Sequence, residues 1–274
     1  MNRSGNLKIV LWLSIPLAAL VVFVSIEGLT TPNFYAAETS NWAAQSLGQD
    51  MADLFLVVPA LIISSFLAYH KRKAALLVWG GVVAYLLYTF LIYCFALHFN
   101  QLFVFYCLIL GLSFYSMLWF FNFQLNNKTS IENFNKVPAS FIAVYFMIIA
   151  VLFYFLWLAE ILPAILKGET PASVKETGLL TNAVHVIDLS VVLPGIFITG
   201  LLLFKRKFLG YIMAPLLLSF FILMDLTICG LIIVMKNRGM EANIGIAMIM
   251  VALAIFSALL LVWYTRRMTL FKTE

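Results

Sequence analysis

Apolar stretches of about 20 residues recur from one end of the chain to the other, each long enough to cross a hydrocarbon layer of about 30 Å. They fall at about 7–27, 50–69, 74–97, 102–121, 139–160, 184–204, 208–235 and 244–264. With 64% hydrophobic and 11% charged residues among 274, the chain carries more apolar surface than a soluble domain of this size could bury. Hydrocarbon offers backbone amides no water, so each span must close its hydrogen bonds internally as a helix. The predicted fold class is all-α, a polytopic membrane bundle of eight transmembrane helices. Arg3, Lys8 and the apolar run 9–26 share the positive start of a signal peptide. That run is too long for one and lacks a small-residue cleavage site, so it reads as a retained first helix.

One stretch is written twice. DLFLVVPALIISSFLAYHKRK at 53–73 and DLSVVLPGIFITGLLLFKRK at 188–207 both open on Asp-Leu and end on a basic cluster. Each places a proline six residues after the aspartate (Pro59, Pro194), and the shift between them is 135 residues. Matching apolar letters mean little in membrane helices, but an acid, a proline and a basic stop in one register signal an internal repeat. At the same shift Asp50 meets His185 and Cys94 meets Cys229, while Glu27 and Glu160 each close the first helix of a half. The expected organisation is two four-helix repeats, 1–121 and 139–274, joined by a polar linker at 122–138. Four crossings per half is an even number, so the repeats are expected to be parallel pseudo-repeats about an axis along the membrane normal.

Lysine and arginine set the expected orientation. With the N-terminus inside, 13 of the 17 basic residues fall on the cytoplasmic side, and only Lys167, Lys175, Lys236 and Arg238 fall outside. The net charge of +5 is thus a topogenic signal that calls for no nucleic-acid partner. The expected location is a bacterial cytoplasmic membrane with both termini cytoplasmic, and the lipid bilayer is the first partner.

Between the first two spans, Thr31-Pro32 and Gly48 predict a short interfacial helix carrying Trp42. Thr170-Pro171 and Gly178 predict the same device between the fifth and sixth spans. Gly80-Gly81 points to close helix packing, and Tyr85, Tyr88 and Tyr93 to a packed, hydrogen-bonded stripe on the third span. The three cysteines give neither a disulfide framework nor a zinc motif. Cys94 and Cys107 flank one turn, but helix axes about 8–10 Å apart favour unpaired thiols there.

Ten of the 12 acids fall on the outer side, all but Glu132 and Glu274. Asp53 stands 18 residues from Lys71, about 27 Å along a helix, which puts it at the outer edge of the hydrocarbon. Asp188 and Asp225 lie at comparable depth. Asp50 with Asp53, and His185 with Asp188, are i, i+3 pairs that share a helix face. Ionisable groups inside a span usually face a cavity and find a partner. Carboxylates converging without basic side chains must share protons or hold a cation. Their oxygens with imidazole from His185, or from His98, suit a divalent metal. The competing reading makes Glu27, Asp50 and Glu160 solvated helix ends, and Asp53 and Asp188 first-turn residues eased by the helix dipole.

The site expected from these residues is one outward-facing vestibule between the repeats, lined by Glu27, Asp53, Glu160, His185, Asp188 and Asp225. Asp53 and Asp188 would be paired ligands, with His185 beside them, for a divalent metal or another cation. The chain has no GxSxG, HExxH, CxxC or phosphate-binding glycine loop. The leading expectation is binding or transport of a cation or cationic small molecule. A metal-dependent membrane enzyme acting on a lipid or lipid-linked substrate competes with it. A packing or sensory subunit that only engages a protein partner is the third class.

Overall fold

A computed structural model describes residues 3–127 and 139–270, all helical apart from turns and short connections. Among these residues eight helical rods are long and apolar enough to cross a membrane. The protein is an all-α integral membrane bundle. Most of the expected linker, 128–138, lies outside the described residues, as do Glu132 and Glu274.

The first rod is α1 (Arg3–Thr30). The second joins α2 (Ser40–Ala52), a π-helical turn (Asp53–Val57) and α3 (Val58–Tyr69). Then come α4 (Lys73–Ala96), α5 (Phe103–Asn126) and α6 (Ser140–Lys167). A six-residue helix, α7 (Ala172–Thr177), precedes α8 (Ala183–Ile187), a second π-helical turn (Asp188–Val192) and α9 (Leu193–Phe204). The long helices α10 (Phe208–Asn237) and α11 (Ile244–Leu270) complete the bundle.

One expected element is corrected. No separate interfacial helix runs from Pro32 to Gly48. Thr39 starts α2 by accepting a hydrogen bond from the Trp42 N–H at 3.2 Å, and the helix continues unbroken into the membrane. Gly48 does not end it but lets α10 approach, since a Cβ there would lie 2.8 Å from Leu231 Cα. The matching device in the second half does form: α7 follows Pro171 and stops at Gly178, whose φ of +70° suits glycine.

The spans α4 and α10 form the centre, buried over 78% and 56% of their apolar windows. They pack on each other and on α3, α5, α9 and α11, while α1 lies on α2, α3 and α5, and α6 lies on α9. Gly81 makes the α4–α10 crossing: a Cβ there would run into the Leu216 carbonyl oxygen and stand 2.6 Å from Ser219 Cβ. The outer surface is apolar as lipid requires, with Trp12, Phe55 and Leu259 exposed. Cys94, Cys107 and Cys229 form no disulfides.

The two halves share local geometry at the 135-residue shift. Both π turns start at the aspartate of the repeated stretch, and Lys71 and Arg206 both take positive φ, 61° and 55°, in the following basic turn. They differ ahead of the aspartate, where 13 helical residues precede Asp53 and five precede Asp188.

Candidate functional site

The repeated Asp…Pro spacing is a backbone device. Pro59 and Pro194 lack an N–H, and in a regular α-helix their rings would press on the carbonyl four residues back. The chain relieves this by widening one turn: the Val58 N–H bonds the Asp53 carbonyl and the Leu193 N–H bonds the Asp188 carbonyl, each five residues back. Pro194 leaves the Leu189 carbonyl without its helical donor, and Tyr154 Oη supplies one at 2.9 Å. The side chains of the two aspartates then meet different surroundings.

Asp50 and Asp53 are sealed inside the first half. Asp50, 1% exposed, accepts hydrogen bonds from Tyr35 Oη at 2.6 Å and Tyr93 Oη at 2.9 Å. Burial beside that carboxylate pushes the Tyr35 phenol far above its usual range, so Tyr35 stays a donor. Asp53 is fully buried; Gln49 Nε2 donates to one of its oxygens at 2.9 Å and the other has no partner. Gln49 also donates to Tyr85 Oη at 2.7 Å, which pairs with Thr227 Oγ1 at 2.8 Å. Gly28 of α1 admits this cluster, since a Cβ there would fall on the Asp50 carboxylate. Gly28→Ala is therefore expected to break the Asp50–Tyr35 pair and cost about 1–3 kcal/mol, read as a lower Tm in detergent, whereas the unobstructed Gly111→Ala should not.

A cavity of about 790 Å³ opens beside this cluster, lined in part by the donors Gln49 and Tyr93 but not by Asp50 or Asp53. It lies among α4, α6, α8, α9, α10 and α11, with α2 and α7 at the end away from the lysine clusters. Asp188 stands in its wall with a neutral donor on each oxygen, Trp157 Nε1 at 2.9 Å and Tyr88 Oη at 3.1 Å. Asp225 of α10 also lines it, 7% exposed, with no hydrogen bond or ion pair to any described residue. The ring of His185 packs on Trp157 at 4.5 Å between centroids. Its Nε2 is buried without a hydrogen-bond partner, 3.8 Å from Glu160 Oε2 and too far to bond it. No lysine or arginine lines the cavity.

Glu160 marks the rim. Its Oε1 accepts the Ser173 N–H at 2.8 Å and so fastens the start of α7 over the cavity mouth. From the other half, Thr39 Oγ1 donates to the Glu176 carbonyl at 2.9 Å near the end of the same short helix.

Of the six residues expected to share one vestibule, Glu160, His185, Asp188 and Asp225 line this cavity, and Asp53 and Glu27 do not. Glu27 accepts a hydrogen bond from Thr31 Oγ1 at 2.9 Å at the end of α1. The expected metal trio of Asp53, His185 and Asp188 is thus divided between two environments. Among the described residues no group of three or more His, Cys, Asp and Glu is placed to hold a metal. His98 pairs with Glu38 at 2.9 Å outside the cavity. The end-cap reading fails for Asp50 and Asp53, which lie well inside a rod whose cap is Thr39, and the cap of α8 is Asn182. Sequence reasoning missed the neutral donors: the α4 tyrosines hold acids of both halves, Tyr93 on Asp50 and Tyr88 on Asp188. Their signal was the tyrosine stripe, expected to be hydrogen-bonded but with no acid named as its partner. No family model, curated protein or solved structure matches the chain.

Proposed function

We propose that this protein binds or transports a cation or cationic small molecule in the cavity. Asp188 and Asp225 supply the negative charge, His185 stands beside them and Glu160 holds the rim. The supporting observation is Asp225, a carboxylate 7% exposed, lining a cavity without lysine or arginine and having no hydrogen-bond or ion-pair partner among the described residues. A buried charge in that position is costly until a counter-charge arrives. Aromatic rings nearby, from Trp157, Tyr88 and Phe220, suit a cation's approach to π faces as well as to carboxylates. In this reading two four-helix units, 1–121 and 139–274, meet at α4 and α10. The lysine-rich end and both termini face the cytoplasm of a bacterial cell, and the cavity mouth faces outward.

The test is thermal stabilisation of the purified protein in maltoside detergent by a panel of cations: sodium, potassium, magnesium, manganese and tetramethylammonium. Saturable stabilisation by at least one of them, lost in Asp225→Asn, is expected. A flat response to the whole panel overturns the reading.

A further inference from the structure

The walls of the cavity are not closed all round. In the first half α1 packs directly on α5. The corresponding pair in the second half, α6 and α11, does not pack along its length. These helices meet near the end that carries the lysine clusters, where Tyr145 Oη and Ser257 Oγ are 2.9 Å apart and the Phe141 and Trp263 rings lie 4.6 Å apart. Beyond that clasp each follows a different neighbour, α6 on α9 and α11 on α10. Both still line the cavity, α6 through Ile149, Phe153 and Leu156, and α11 through Ile246, Met250 and Leu253. Leu156 and Ile246, on these two walls, are 55% and 44% exposed. With α6 and α11 packed on different neighbours beyond the clasp, the gap between them is the place where the cavity comes nearest the lipid chains.

We propose that the ligand is a cationic amphiphile, an amine or quaternary ammonium carrying a hydrocarbon chain, which enters sideways from the bilayer between α6 and α11. The inference rests on the cation reading above and specifies its substrate. Head and tail find separate surroundings. Asp188 is hydrogen-bonded to Trp157 and Tyr88, and Asp225 and Phe220 of α10 line the same cavity; carboxylates and ring faces together recognise an organic ammonium. The tail would lie along Phe153, Met250 and Leu253, an apolar run leading to that gap. A small hydrated ion needs no such wall. An amphiphile leaves its chain in an environment like the one it came from and exchanges only the head, whose charge the two acids receive.

The experiment measures binding of tetramethylammonium, its decyl homologue decyltrimethylammonium, and uncharged decanol to the full chain at one fixed maltoside concentration. Referred to free ligand in water, the decyl compound is expected to bind at least about tenfold tighter than tetramethylammonium, given about fourfold per methylene withdrawn from water, and decanol is expected not to bind. Asp225→Asn should weaken both ammonium ligands. Met250→Trp and, separately, Leu253→Trp narrow the tail path and should weaken only the decyl compound, with folding of each checked by gel filtration. If tetramethylammonium binds through Asp225 but the decyl compound is no tighter, or neither tryptophan discriminates, the amphiphile inference is overturned and the cation reading stands. If neither ammonium binds and no inorganic cation does, both fall.

Discussion

Asp225→Asn is expected to weaken cation binding by about 100-fold, about 3 kcal/mol, while leaving the unliganded protein as stable as before or more so. The two effects have one cause. Asp225 has no partner to lose, so converting it to an amide removes a buried carboxyl group whose ionisation nothing in the empty protein compensates. Asp188→Asn should behave differently. Both oxygens of Asp188 accept from neutral donors, Trp157 and Tyr88, and an amide would turn its NH2 toward one of them. That variant should lose cation affinity and also about 1–3 kcal/mol of stability. Asp53→Asn should leave cation binding untouched, because Asp53 lies outside the cavity. Titrations of Tm against cation concentration for the three variants separate these outcomes. An equal loss of binding in all three would mean that the acids act through the fold and not through the cavity.

Gly81→Val should be the most disruptive single change away from the site. Its Cβ would collide with the Leu216 carbonyl, a backbone atom of the helix at the centre of the bundle. Neither α4 nor α10 can move without disturbing the neighbours packed on both, so a loss of about 3 kcal/mol or more is expected. The readout is folded monomer by gel filtration and Tm by intrinsic fluorescence. The control is Gly195→Ala in α9, where nothing lies within 4 Å of the added carbon. Alanine there should be neutral or slightly stabilising, since it is the better helix former by about 1 kcal/mol. If Gly81→Val is as stable as that control, the α4–α10 crossing is looser than the geometry implies.

The bundle was legible because lipid leaves few options: eight apolar runs of sufficient length require eight helices, and the basic clusters mark the turns between them. The start of the second rod was not legible, because Ser40–Ala52 is polar and reads as part of a separate interfacial helix until its partners are known. Its Gln49, Asp50 and Ser46 are satisfied by Tyr85, Tyr93 and the Trp42 carbonyl, and no pattern in the string announces such pairings. The site was half legible. Depth along the helix identified Asp53, Asp188 and Asp225 as unusual acids. Which of them face one another depends on how each rod is rotated, and periodicity in a helix apolar on nearly all sides does not fix that angle. The Asp…Pro spacing was read as the mark of an internal repeat, and its direct physical product is a widened backbone turn.

The unequal lead-in to the two π turns has a further consequence. Eight residues separate the 13 of α2 from the five of α8, about 12 Å of rod that the second copy does without. Where α2 continues its rod above Asp53, the rod of Asp188 stops short, and the space is closed over by the six-residue α7 with α2 beside it. Vacancy here comes from truncation, not from carving a hollow into packed side chains. The same widened turn therefore seals one carboxylate in packed side chains and sets its counterpart in the wall of a cavity.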